Sequence, residues 1–248
     1  MKNQISTPGF LWPLLALICV VVILIGLYAA LRRTDWSRSA GTKWFAEIAV
    51  SIVVWITILV ILAGKGFFAH FEKIPPRPAL AILIPLPFVL IFAFSKRGTQ
   101  LLESMPKQWP IYMQSFRIFV ELLIWFAFLS GKLPVQMTAE GFNFDLLTGL
   151  FAFPVGYLCF RKKTWPKGVA IAYNILGLLL LVNVLVIAML SMPTSSRVFM
   201  NEPSTELVAR IPFILLPGVL VPIAYSMHII SLRQLLHKKK PGSGFIGL

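Results

Sequence analysis

Residues 10–31 read FLWPLLALICVVVILIGLYAAL and are followed at once by Arg32 and Arg33. This stretch decides what kind of molecule the chain makes. A charge-free helix over those residues is about 33 Å long at 1.5 Å per residue, enough to cross a hydrocarbon core of about 30 Å. A secretory signal would carry a shorter apolar core and a small-x-small cleavage site. This run has neither, and the arginine pair reads as a stop-transfer flank.

Outward from it, six further runs have the same character: 44–64, 78–95, 109–130, 144–160, 168–192 and 211–236. The whole chain, 248 residues, is 58% hydrophobic and only 13% charged, against about 25% charged in a soluble domain. Mean hydropathy is +0.83. These observations exclude a soluble globular protein and predict an all-α, polytopic membrane helix bundle of about seven transmembrane helices, filling 1–248 as a single transmembrane domain. The third and fifth runs are the shortest, so six crossings remain an alternative.

A net charge of +14 would suggest nucleic acid in a soluble chain. Here the basic residues lie between apolar runs, where they set orientation, and no nucleic-acid partner is expected. One alternating set of connections holds Arg32, Arg33, Arg38 and Lys43, then Lys96, Arg97 and Lys107, then Arg161, Lys162, Lys163 and Lys167, then Arg233 and Lys238 to Lys240. The other holds Lys2, Lys65, Lys73, Arg77, Lys132, Arg197 and Arg210. The excess on the first set places the amino terminus outside and the carboxyl terminus in the cytoplasm. The lysines at 238–240 invite anionic lipid heads. The connection at 193–210 reads as a small cap or re-entrant turn.

Ionisable groups inside an apolar run are costly and mark function or a structural pair. Arg117 and Glu121 are four residues apart on one face of the fourth run, with Gln114 three residues before Arg117. Counted from the cytoplasmic ends, Arg117 and His228 both lie about 12 Å deep, Glu121 about 18 Å, and Thr57 and Asn183 about 20 to 22 Å. These six residues define a candidate substrate or ion pathway, with Glu121 or His228 carrying a proton and Arg117 holding the carboxylate charged or binding an anionic substrate. At the outer face, Glu140, Asn143, Asp145 and Glu202 define a candidate acidic vestibule. Asn143 and Asp145 also suit the cap and first turn of the fifth helix.

Two echoes suggest internal repetition. Lys73-Ile74-Pro75, Pro85 and Lys96 in the third run match Arg210-Ile211-Pro212, Pro222 and Arg233 in the seventh, with equal spacings. Arg32-Arg33-Thr34-Asp35-Trp36 echoes Arg161-Lys162-Lys163-Thr164-Trp165. Together they point to a 3+1+3 parallel repeat with the fourth run as linker, a plan used by transporters. Prolines 85, 87, 154, 217 and 222 fall inside runs, where a missing N–H kinks a helix.

The set Arg117, Glu121, Pro134, Met137-Thr138, Gly141, Asn143, Asp145 and Gly149, with Pro212, Pro217 and Pro222, resembles multi-pass bacterial integral membrane proteins of uncharacterised activity. The resemblance covers the second half of the chain. It implies a bacterial inner-membrane location and supplies no activity and no site residues.

No cofactor or metal is expected. Cys19 and Cys159 both lie in apolar runs at different depths, and there is no CxxC, Walker A, GxSxG or paired intramembrane histidine. The seventh run has no lysine for a retinal Schiff base. Three function classes are compatible with these residues. The first is a small-solute transporter or channel-like protein using the Arg117–Glu121 stripe, with membrane lipids and a solute or proton as partners. The second is an accessory or scaffold subunit bound to another membrane protein. The third is a membrane enzyme whose outer carboxylates converge on one substrate.

Overall fold

The computed structural model describes residues 9–237. Lys2 and the lysines at 238–240, and with them the lipid contact expected of that tail, lie outside the described residues. Among the described residues every regular element is helical. Six stretches are long and apolar enough to cross a membrane: Leu11–Leu31, Arg38–Gly64, Arg77–Phe94, Trp109–Leu129, Lys167–Leu190 and Leu216–Leu236.

Helices α1 (Leu11–Leu31) and α2 (Arg38–Gly64) are uninterrupted. Pro13 falls in the first turn of α1, where its missing N–H has no intrahelical acceptor anyway. Ser37 starts α2 by accepting from the Ala40 N–H at 3.2 Å, which satisfies one of the free donors of the first turn. Along its length α2 buries only Leu59 and Ala63, while Val50 and Val53 are each 60% exposed. Apolar side chains turned outward over a whole helix suit lipid, not water.

Of the other candidate spans, the third, fourth and seventh runs are interrupted, while the sixth is not. The third run divides into α3 (Arg77–Leu83) and α4 (Pro85–Phe94), because Pro85 cannot donate to the carbonyl one turn back. A connection read from the sequence only as a basic linker forms α5 (Lys96–Ser104), which starts with Ser95 accepting from the Gly98 N–H at 2.9 Å. Gly98, Leu101 and Leu102 face inward and the charged residues outward. The fourth run divides into α6 (Trp109–Met113) and α7 (Phe116–Leu129). The seventh opens with a π-helical turn, Leu216–Leu220, before α10 (Val221–Leu236). Pro222 leaves the Gly218 carbonyl without its usual partner, and the Trp55 indole N–H from α2 donates to it at 2.7 Å. That bond ties α2 to the seventh run.

The fifth run departs from the expected crossing. Its helix, α8 (Leu146–Gly156), continues through a π turn at Tyr157–Arg161 behind Pro154. The whole stretch Leu146–Arg161 is shorter than the six candidate spans, about 24 Å long. It is short because Asn143 to Asp145 form a turn, with the Asn143 Oδ1 accepting from the Asp145 N–H at 3.0 Å. Helix α9 (Lys167–Leu190) comes next and packs along α10.

Candidate functional site

Where α7 ends, the chain turns back into the bundle. Gly131, at φ 66°, donates to the Phe128 carbonyl at 2.8 Å, and Lys132 donates to the Ala127 carbonyl at 2.9 Å. This is a Schellman ending, for which glycine's freedom at positive φ is needed. Leu133, Gln136, Met137, Thr138 and Asn143 of the returning segment are all buried. By Asp145 the chain has come level with Arg117, about 18 Å back along α7 from Leu129.

Arg117 presents its fork to both oxygens of Asp145: Nε donates to Oδ2 at 2.6 Å and Nη2 to Oδ1. Its remaining Nη1 meets His228 Nε2 at 2.9 Å. A guanidinium can only donate, so that histidine nitrogen is the acceptor and carries no proton. The ring proton then sits on Nδ1, donating to Asn174 Oδ1 at 2.9 Å. Asn174 in turn donates to the Ser231 hydroxyl at 2.9 Å and to the Ala170 carbonyl at 2.7 Å. On the other side, the Asn143 amide donates to both oxygens of Glu121, at 2.8 and 2.9 Å, and to the Met137 carbonyl at 2.9 Å. Gln114 donates to the Ala224 carbonyl at 2.9 Å.

A continuous polar chain thus runs from Ser231 through Asn174, His228, Arg117, Asp145 and Asn143 to Glu121. Arg117 is 1% exposed, Glu121 6% and His228 0%, so the stripe faces protein. The helix break at 114–115 puts it there: Arg117 and Ile118 donate to the Gln114 and Ser115 carbonyls three residues back, which tightens the turn below Arg117. Gly177 lets α9 approach, since a Cβ at that position would lie 2.4 Å from His228 Cε1.

Beside this chain is a partly open cavity of ≈ 80 Å³, bounded by α3, α7, α9, the returning loop and the seventh run. Its wall is almost wholly apolar, with Ile82, Val120, Val184 and Leu220 among its members, and Arg117, Glu121 and Asp145 are its charged ones. It has room for a few water molecules or a small apolar group. The Gln114 Oε1 and Thr148 Oγ1 atoms are buried without a partner among the described residues. Among the described residues no group of three or more His, Cys, Asp or Glu is placed to hold a metal ion.

Four of the six pathway residues read from the sequence, Arg117, Glu121, Gln114 and His228, take part in this interior. The other two do not join it. Thr57 is exposed, its hydroxyl donating to the Val53 carbonyl of its own helix at 2.8 Å, the usual way a hydroxyl is satisfied on an apolar helix. Asn183 is half-buried and donates to the Phe142 carbonyl at 2.8 Å.

The vestibule residues also divide. Asn143 and Asp145 are buried with Arg117 and Glu121. Glu140 accepts from the Trp125 indole at 2.8 Å, and Glu202 pairs with Arg197 at 2.9 Å, both on exposed surface. Arg117 is joined to Asp145, not to the Glu121 expected from i,i+4 spacing, because the returning loop offers a carboxylate to both its Nε and its Nη2. Segment 193–210 folds as a cap: Asn201 donates to the buried Gln136 Oε1 at 2.8 Å, and Thr205 to the Ala188 carbonyl at 2.8 Å.

Sequence reasoning missed Asn174 and Ser231. Asn174 lies about 9 Å from the basic end of its run, close to the 12 Å of His228, so the same depth count would have found it.

An all-helical bundle with six candidate spans and a buried Arg–Asp–His–Glu interior is compatible with a membrane protein. The model of the family described as Domain of unknown function (DUF8737) matches residues 74–236, and the chain belongs to that family. No curated protein and no solved structure matches the chain.

Proposed function

We propose that the chain is a multi-pass integral membrane protein of the bacterial inner membrane that passes a small, largely apolar solute through the cavity beside Arg117, Asp145 and Glu121. The supporting observation is that the charged groups of that cavity lie where the helices are interrupted, between the α6–α7 break, the returning loop and the start of α8. Interrupted helices around a mid-depth site are the usual construction of a carrier. Glu121 is the group that would take up and release a proton, since the Arg117 bond keeps His228 Nε2 occupied as an acceptor.

In this reading the segment 131–161 makes the fifth of seven crossings as a loop plus a short helix. Non-helical backbone is tolerated at that depth where protein covers it, as the burial of Leu133, Met137 and Thr138 provides. The excess of Lys and Arg on one face supports an outside amino terminus and a cytoplasmic carboxyl terminus. The helix break ahead of Pro85 and the π turn ahead of Pro222, at matched positions, support the 3+1+3 parallel repeat.

The test is proton-coupled flux in proteoliposomes. Glu121→Gln is expected to abolish the pH dependence of flux while leaving insertion intact. A second reading, an accessory subunit of another membrane complex, is favoured by all three guanidinium nitrogens of Arg117 being bonded to Asp145 and His228, an arrangement that needs no ligand. It predicts co-purification with a membrane partner and no flux from the pure protein. The enzyme reading is not supported, since Glu140, Glu202 and Asp145 each have a different partner, whereas acid–base pairs must reach one substrate.

A further inference from the structure

A second cleft lies at the basic end of the bundle, away from the polar interior. It has a volume of ≈ 340 Å³ and opens between the start of α2 and the outward face of α5. Two indoles, Trp36 and Trp44, form its walls, with Lys43 and Arg97 as its cations and Glu47 as its carboxylate.

The arrangement leaves donors and positive charge unspent. Arg97 stacks its guanidinium 5.5 Å from the centre of the Trp44 ring, and among the described residues it has no ion pair within 4.0 Å. Glu47 lies 3.9 Å from Lys43, with both side chains mostly exposed, so that pair holds Lys43 only weakly. The Trp44 indole nitrogen is buried and has no hydrogen-bond partner among the described residues. The Trp36 indole donates to the Gln100 Oε1 at 3.0 Å, which leaves the Gln100 amide N–H₂ as a donor. Two cations with neutral N–H donors suit a tetrahedral oxyanion. Tryptophans and an amphipathic helix are the elements that sit at the level of lipid headgroups.

We propose that the cleft walled by Trp36, Trp44, Lys43 and Arg97 binds a phosphate ester, the natural source being the headgroup of an anionic phospholipid. This rests on the membrane reading but not on the solute path, so either can fail without the other.

The experiment is thermal unfolding of the purified full chain in detergent with added phosphatidylglycerol, phosphatidylcholine or inorganic phosphate. Phosphatidylglycerol is expected to raise the melting temperature, and phosphatidylcholine to do so far less. Arg97→Gln and Lys43→Gln should each weaken the phosphatidylglycerol effect about tenfold in half-saturating concentration. Should Arg97→Gln disturb the fold through its lost stacking, Lys43→Gln carries the test alone, since Lys43 is exposed. An equal response to inorganic phosphate would uphold the phosphate chemistry and assign it to a soluble compound. A response of unchanged strength in the well-folded Lys43→Gln and Arg97→Gln proteins, or no response to any phosphate, would overturn the proposal.

Discussion

Helices α1 and α2 differ from the rest of the molecule in almost every physical respect. They are continuous, as α9 alone is among the other candidate spans, they carry no buried charge, and α2 turns most of its apolar surface outward. The region from residue 74 to 236, which the family match covers, interrupts its helices ahead of Pro85 and at Gln114-Ser115, returns a loop into its own interior and buries Arg117, Asp145, Glu121 and His228 together. Straight apolar helices can be held by lipid contact alone. A chain that buries charge must instead satisfy each group within the protein, and the satisfying partners here come from four separate segments, α7, the returning loop, α9 and α10. The contrast shows where the sequence is constrained by solvent and where it is constrained by neighbours.

The contrast breaks most readily at Arg117. Arg117→Ala leaves Asp145 buried and unpaired, and we expect a loss of about 3–5 kcal/mol in unfolding free energy. Removing both partners should cost less than the sum of the two single changes, and a double-mutant cycle on thermal or detergent unfolding measures that coupling. Additive losses would show that the pair is not coupled as described.

A smaller loss is expected at Gly177, where a methyl group would strike His228. Gly177→Ala should cost about 1–3 kcal/mol through overpacking of α9 against α10, read from the same unfolding curves. The smallest effect belongs to the outward helix. Thr57→Val removes a hydroxyl bonded only within α2, and stability should stay within about 0.5 kcal/mol. A large loss there would erase the distinction between the two regions.

The two regions were also unequally legible in the sequence. Hydropathy and helix length suffice for α1 and α2, whose only requirement is apolarity, and their ends came out within a few residues apart from the start of α2. In the second region the same criterion took 144–160 for an ordinary crossing. The apolar count does not register that Asn143 closes a turn on Asp145 and so delays the helix to Leu146. Arg117 and Glu121 were readable because they lie on one helix, α7, with a fixed period, and Gln114 stays near them because the break at 114–115 is only a tightened turn. Their partners were not, because which carboxylate meets Arg117 depends on how far the loop returns. That distance is set by tertiary packing. Thr57 shows the opposite error, since depth along a helix says nothing about the direction in which a side chain points.

The most direct measurement is thiol labelling in membranes, on a background with Cys19 and Cys159 replaced by alanine. Val184→Cys, on the cavity wall in α9, is expected to react with a small methanethiosulfonate reagent that enters from water. Val182→Cys, 54% exposed on the outer side of the same helix, is expected to stay unmodified in the acyl region. Reaction at 184 alone is the predicted result; an inert 184, or equal reaction at both positions, would contradict a solute-accessible cavity beside Arg117 and Glu121.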